Sequence, residues 1–206
     1  MPTSGEPSPR SVNDLCRLEQ MGQCPEFLFF WGHQPRRDGR IGPGCLSQWW
    51  PAPFTVDRIT YPTAEHFMMA RKARIFGDEH MVSRILEAPS PAAAKALGRE
   101  VHGYDEQLWE ANRYGIVVEG NAAKFGQDPA LRAYLVTTAG RVLAEASPSD
   151  RVWGIGLAAD DVRAGQPSSW KGLNLLGFAL TEVRESLTGC GDCLLYTSPS
   201  PRDRQK

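Results

Sequence analysis

The chain has 206 residues, a formal net charge of −1, and 41 % hydrophobic residues. That length suits one domain with a core of ordinary size, and the near-neutral balance gives no bulk attraction to nucleic acid, leaving only a local basic patch. No apolar run approaches the ~20 residues that cross a bilayer, and the N-terminus has no apolar signal core, so a membrane role is excluded and a cytoplasmic protein is expected.

Residues 1–25 hold Pro, Ser, Gly and scattered charge and read as a flexible leader, with a weak helical patch from Val12 to Met21. Phe27 to Trp31 is a short apolar run of strand type, and the Gly/Pro/Arg stretch 32–44 is too rich in breakers for a regular element. Phe54 to Tyr61 alternates apolar and polar residues and reads as one strand feeding into a helix. Pro62 and Thr63 open that helix, because proline suits a helix start and the threonine hydroxyl caps free N–H groups. Asp78, Ser90-Pro91, Asp105 and Asp128-Pro129 open four more helices by the same rules. Gly115 and Gly120 either interrupt the Asp105 helix or allow close packing. Val142 to Ala146 and Val152 to Leu157 look like short strands, and a polar loop from Ala158 to Gly172 precedes a final amphipathic helix with Leu176, Leu180, Val183 and Leu187 on its apolar side. Few strands beside many helices, without regular βαβ alternation, predict an α+β fold.

The five cysteines are irregularly spaced, and Cys16, Cys24 and Cys45 read as reduced thiols. Cys190 and Cys193 have the spacing of a metal or redox pair. The string from Cys193 through Asp203, however, resembles the translation of a transposase sequencing adapter, so 189–206 is set aside as a disordered tail. With the four histidines scattered, no metal and no cofactor are expected.

Glu65 is the most informative residue. It stands in the first turn of its helix, near the positive end of the helix dipole, which favours the charged carboxylate. Residues 65, 69 and 72 share one face, so Lys72 lies two turns along on the same side. His66 points about a third of a turn away and reads as a hydrogen-bonded structural histidine. Taken alone, Glu65 could equally be an ordinary helix-start acid facing solvent. A fixed carboxylate can stabilise an oxocarbenium centre and activate water during glycoside hydrolysis. The six tryptophans offer base-stacking surfaces worth ~1–3 kcal/mol per base. Lys171-Gly172-Leu173-Asn174 brings a cation and a capping residue to the start of the last helix, where free N–H groups could hold phosphate; Asn174 is equally an ordinary cap. Lys72, Lys124, Arg36 and Arg37 are further phosphate candidates.

Tyr61-Pro62-Thr63-Ala64-Glu65-His66, with the following Ala70-Arg71-Lys72-Ala73, resembles the signature of the NADAR superfamily, the YbiA-like N-glycosidases. Phe29-Phe30-Trp31 and Leu46-Ser47-Gln48-Trp49 precede it. Trp109, Ala123-Lys124-Phe125, Asp128-Pro129-Ala130-Leu131-Arg132, Trp153-Gly154-Ile155-Gly156 and Gly172-Leu173-Asn174-Leu175-Leu176-Gly177 follow in the family's order. The resemblance covers residues 26–188. It implies a single YbiA-like domain, Glu65 as catalytic carboxylate, and Trp109 and Trp153 as pocket aromatics, with Trp31 and Trp49 as further substrate-binding positions. It also implies a metal-independent hydrolase acting on phosphorylated ribosylamino-pyrimidine intermediates of riboflavin biosynthesis and releasing ribose 5-phosphate. Two other readings remain: removal of ADP-ribose from guanine in nucleic acid, and a nucleotide- or ADP-ribose-binding module without turnover. The latter draws on a departure, since many relatives carry Trp-Gly-Asp-Gly where this chain has Ile155. Asp160 and Asp161 follow, and Asp161 is the candidate to reach the same space.

Overall fold

The computed structural model describes residues 8–189. The tail beyond Gly189, including Cys190 and Cys193, lies outside the described residues. In chain order the elements are α1 (Val12–Gln20), β1 (Phe27–Phe30), β2 (Phe54–Val56), β3 (Ile59–Tyr61), α2 (Ala64–Ile75), α3 (Glu79–Leu86), α4 (Pro91–Arg99), α5 (Glu106–Gln127), α6 (Pro129–Thr137), β4 (Val142–Glu145) and α7 (Leu175–Gly189). The fold is α+β, as expected. β1 and β4 pair in parallel, from Phe27 opposite Val142 to Phe30 opposite Glu145. Parallel neighbours need a long crossover, and the whole helical body from α2 to α6 serves as that crossover.

The helix starts follow the sequence. Thr63, Asp78, Ser90, Asp105 and Asp128 each accept a backbone N–H with their side chains at the heads of α2 to α6. α2 runs through the centre, buried from Ala64 to Ala70, and packs on α3, α4 and α5. α5 is unbroken across Gly115 and Gly120. A Cβ at Gly120 would stand 2.6 Å from the Phe67 ring, so this glycine lets α5 approach α2.

Three expectations are corrected. The leader is not flexible throughout: α1 buries Leu15 completely, and Arg10 pairs with Glu182 and Glu185 of α7. Phe54 to Tyr61 is a hairpin rather than one strand, with Val56 opposite Ile59. Its two turn residues, Asp57 and Arg58, have φ of 52° and 65°, the left-handed pair that suits the twist of a tight hairpin. Val152 to Leu157 forms turns. Gly156 takes φ of 69°, and Ile155 N–H donates to the Glu145 carbonyl at 2.8 Å, which folds the segment onto the end of β4.

Two buried polar residues lock this frame. Lys124 is fully enclosed on α5 and donates to the carbonyls of Cys45 (2.7 Å) and Ser47 (2.8 Å). Asn174, at φ 52° before α7, donates to the Leu143 carbonyl (2.9 Å) and accepts from Glu145 N–H (3.0 Å). These bonds satisfy backbone groups that burial would otherwise leave unpaired.

Candidate active site

Glu65 is only 2 % exposed, and its Oε1 is enclosed without a hydrogen-bond partner. Its own N–H donates to the Gln48 carbonyl at 3.0 Å. Gln48 in turn accepts from Asn121 of α5 at 2.8 Å. The segment held by Lys124 and Asn121 therefore carries Trp49 to the carboxylate, where Trp49 favours its charged form. His66 is structural, as expected. Its Nε2 stands 3.1 Å from the Ala88 carbonyl, which can only accept, so Nδ1 is free to accept the Thr63 hydroxyl at 2.8 Å.

A cavity of about 150 Å³ opens between α2, α4, α5 and the 153 segment; Glu65, Met68, Met69, Lys72, Lys95, Gly98, Arg99, Trp109 and Trp153 line it. A larger depression of about 570 Å³ near Pro129, Val136 and Leu187 is mostly apolar and has no carboxylate in its lining. Glu65, the lysines and the indole rings all belong to the smaller one. Among the described residues no cluster of three or more His, Cys, Asp or Glu has the arrangement of a metal site.

Burial pushes the Glu65 carboxyl up to about 7, overriding the helix-end effect expected from sequence. Lys95 is the main opposing influence, with Trp49 and Arg99 helping and Asp150 working the other way. Lys72 does line the cavity, but it is not the cation that serves Glu65. Its Nζ donates to the Gly98 carbonyl at 2.8 Å and lies 4.4 Å above the Tyr104 ring and 5.7 Å from Trp109. Burial lowers its pKa. Lys95 and Arg99, one turn apart on α4, make no ion pair among the described residues and supply free positive charge at the cavity.

The structure thus brings together Glu65, Lys72, Trp109 and Trp153, with Trp49 alongside. Trp31 is 65 % exposed and outside the lining. Lys124 and Asn174 are excluded as phosphate ligands because their polar atoms are spent on buried backbone. Lys171 is exposed, stands against Gly156 and is likewise absent from the lining. Asp161 is held by Arg163 through two bonds of 2.9 and 2.6 Å on its own loop, which keep its carboxyl well below the usual carboxylate range, and it is absent from the cavity lining. Ile155 packs with Ala144, Ala146, Leu157 and Ala164 in a separate apolar cluster and is absent from the cavity lining. Four charged residues near Glu65 escaped the sequence reading: Lys95, Arg99, Glu145 and Asp150. The i, i+4 spacing of Lys95 and Arg99 on an amphipathic helix was the available signal.

The carboxyl of Glu65, enclosed and without a hydrogen-bond partner, shares one cavity with two indole rings and with Lys95 and Arg99, which make no ion pair among the described residues. The model of the NADAR domain matches residues 29–188. N-glycosidase R617 of Acanthamoeba polyphaga mimivirus is 37 % identical over 168 residues, covering 79 % of this chain and 97 % of its own. N-glycosidase YbiA of Escherichia coli K12 is 34 % identical over 144 residues, covering 70 % and 81 %. The NMR structure of E. coli YbiA superposes with a TM-score of 0.66 at 30 % identity, over 81 % of this chain and 88 % of that one. The maize chloroplastic riboflavin biosynthesis protein PYRR is 34 % identical over 142 residues, which is 65 % of this chain and 21 % of that longer protein. The chain belongs to the NADAR domain family. It is an enzyme of the N-glycosidase class.

Proposed function

We propose that this enzyme hydrolyses the N-glycosidic bond of phosphorylated ribosylamino-pyrimidine intermediates of riboflavin biosynthesis, with Glu65 as the catalytic carboxylate. The observation that carries this reading is the enclosed, unpartnered Oε1 of Glu65 in the cavity wall. The likeness to PYRR points to the pathway. In the reaction the bond from the anomeric carbon to nitrogen breaks and its electron pair leaves with the base. The Glu65 anion faces the positive charge that develops on the sugar and takes a proton from water. The hydroxide equivalent joins the anomeric carbon, a proton goes to the departing nitrogen, and ribose 5-phosphate and the aminopyrimidine result.

The cavity of about 150 Å³ is smaller than the ~300–1,000 Å³ that encloses a drug-sized ligand. It accepts the sugar, while base and phosphate reach outwards. Trp109 and Trp153 offer ring faces, and Lys95 with the exposed Arg99 holds the phosphate in place of the lysines expected from sequence. Lys95→Met is expected to raise KM for the phosphorylated substrate about 10- to 100-fold, the range for one lost charge-assisted hydrogen bond. The dephosphorylated riboside serves as control. An equal rise in KM for both substrates would remove the phosphate assignment.

Removal of ADP-ribose from guanine in nucleic acid is the second reading. The loop after β1 favours it: Trp31 is exposed, the His33 ring lies 5.7 Å from Trp49 beside the site, and Arg36, Arg37 and Arg40 follow. Asp38 pairs with Arg36 and Arg40 at 3.7 and 3.3 Å, which drains much of that charge. Steeply salt-dependent binding to modified DNA would select it.

A further inference from the structure

Trp153 reaches the cavity from a segment that belongs to no helix or strand. Its backbone is held by a second segment. Every carbonyl from Arg151 to Ile155 accepts an N–H of residues 171–176, among them Leu176 to Trp153 at 3.1 Å and Lys171 to Ile155 at 2.9 Å. A Cβ at Gly172 would stand 2.9 Å from Cα of Arg151, so the two segments meet backbone to backbone. This wall of the cavity is placed only as firmly as residues 171–176 are.

That second segment is anchored from outside the domain that matches the family, because α1 precedes residue 29. α1 packs on the short 3-10 turn Pro167–Ser169, which leads directly into 171–176. Glu19 Oε2 accepts the Ser168 N–H at 3.0 Å, and Leu15 is the side chain that α1 buries completely. Past the turn, Trp170 Nε1 donates to the Ala164 carbonyl at 2.7 Å, and its ring stands edge-on to Phe27 of β1 at 5.6 Å. The pairs of Arg10 with Glu182 and Glu185 are exposed and add little.

We propose that Leu15 and Glu19 are positioning residues for Trp153. α1 straps the 167–169 turn in place, the turn delivers residues 171–176 to the carbonyls of 151–155, and that contact sets where the indole stands. α1 does not line the cavity, so its effect on substrate passes through Trp153. The consequence for catalysis rests on the reading that Trp153 offers a ring face to the substrate. Loosening the strap opens the 151–176 contact locally and leaves α2, packed on α3, α4 and α5, intact.

The test uses the full chain carrying Leu15→Ala, Glu19→Ala or Glu19→Gln, the last of which keeps an oxygen for the Ser168 N–H. Amide hydrogen exchange in residues 171–176 is read against that in α2. Leu15→Ala is expected to speed exchange in 171–176 about 10-fold while α2 keeps its protection. Glu19→Ala does the same to a smaller extent, and Glu19→Gln restores the wild-type rate. KM for the ribosylamino-pyrimidine phosphate rises about 5-fold in Leu15→Ala, the low end of what one stacking ring is worth, with kcat unchanged. In a Trp153→Ala background Leu15→Ala adds nothing further to KM. Unchanged exchange in 171–176, equal speeding there and in α2, or a KM effect that persists without Trp153 overturns the inference. If Leu15→Ala does not fold, the two Glu19 variants decide by the same exchange readout. A folded wild type that releases no ribose 5-phosphate sinks the parent reading alone, and exchange in 171–176 still decides whether α1 positions Trp153.

Discussion

Glu65→Gln is expected to lower kcat for N-glycoside hydrolysis by about 10²- to 10⁴-fold, the usual worth of a positioned acid–base group. KM should change little, because the amide keeps the shape of the cavity wall. The substitution also has a stability signature of definite sign. Burial raises the folded-state pKa of Glu65 to about 7 from an ordinary 4.5. Below the ordinary value both folded and unfolded chains hold the proton, and burial carries no ionic penalty. As pH climbs through the window between the two values, the unfolded chain ionises more readily and the fold loses stability. Thermal unfolding of the wild type between pH 5 and 7 should show that decline, and Glu65→Gln should flatten part of it. A variant that is both inactive and steeper in its pH dependence would contradict the burial argument. So would one that retains wild-type kcat.

Asn174→Ala is the second large effect, and it falls on stability. The change strips the partner from Glu145 N–H and from the Leu143 carbonyl at once. Each buried backbone group left unpaired costs ~1–3 kcal/mol. Alanine at φ 52° adds roughly 1 kcal/mol that asparagine tolerates better. A loss of about 3–7 kcal/mol is expected, a large share of the ~5–15 kcal/mol that a domain commands. Urea unfolding measures it directly. Because Asn174 pins β4 to α7 and does not line the cavity, KM per folded molecule should be unchanged. A raised KM without loss of stability would return Asn174 to the phosphate-binding role expected from sequence.

The helical frame was legible because its punctuation is local. Thr63, Asp78, Ser90, Asp105 and Asp128 announce their helices through side chains that bond within three residues, and that information sits in the sequence itself. The Asp57-Arg58 turn was hidden because it lacks the glycine that usually marks a left-handed pair. Val152 to Leu157 misled because apolar alternation does not distinguish a strand from turns folded over a strand end.

Within the site, Glu65, Trp109 and Trp153 were found because a motif carries them. Lys124, Asn174 and Asp161 were misplaced for one reason: a lysine, an asparagine or an aspartate looks solvent-facing until its partners are seen. Those partners are the carbonyls of Cys45 and Ser47, the backbone of β4, and Arg163. The pKa of Glu65 shifts upward rather than downward, because the dipole of α2 is a local effect and the packing that encloses the carboxyl is not. Lys95 and Arg99 gain meaning only from the contact of α4 with α2. A Cβ at Gly98 would come within 2.9 Å of Cγ of Met69, which shows how tight that contact is.

In the proposed reaction an enclosed carboxylate on α2 breaks the bond between a phosphorylated ribose and an aminopyrimidine nitrogen. The most direct measurement is the appearance of ribose 5-phosphate, with the free base in equal amount, when the full chain and its Glu65→Gln variant are each incubated with the ribosylamino-pyrimidine phosphate. Stoichiometric release by the wild type and none above background by the folded variant is the predicted result. Equal release by both proteins, or none by a folded wild type, would contradict the account.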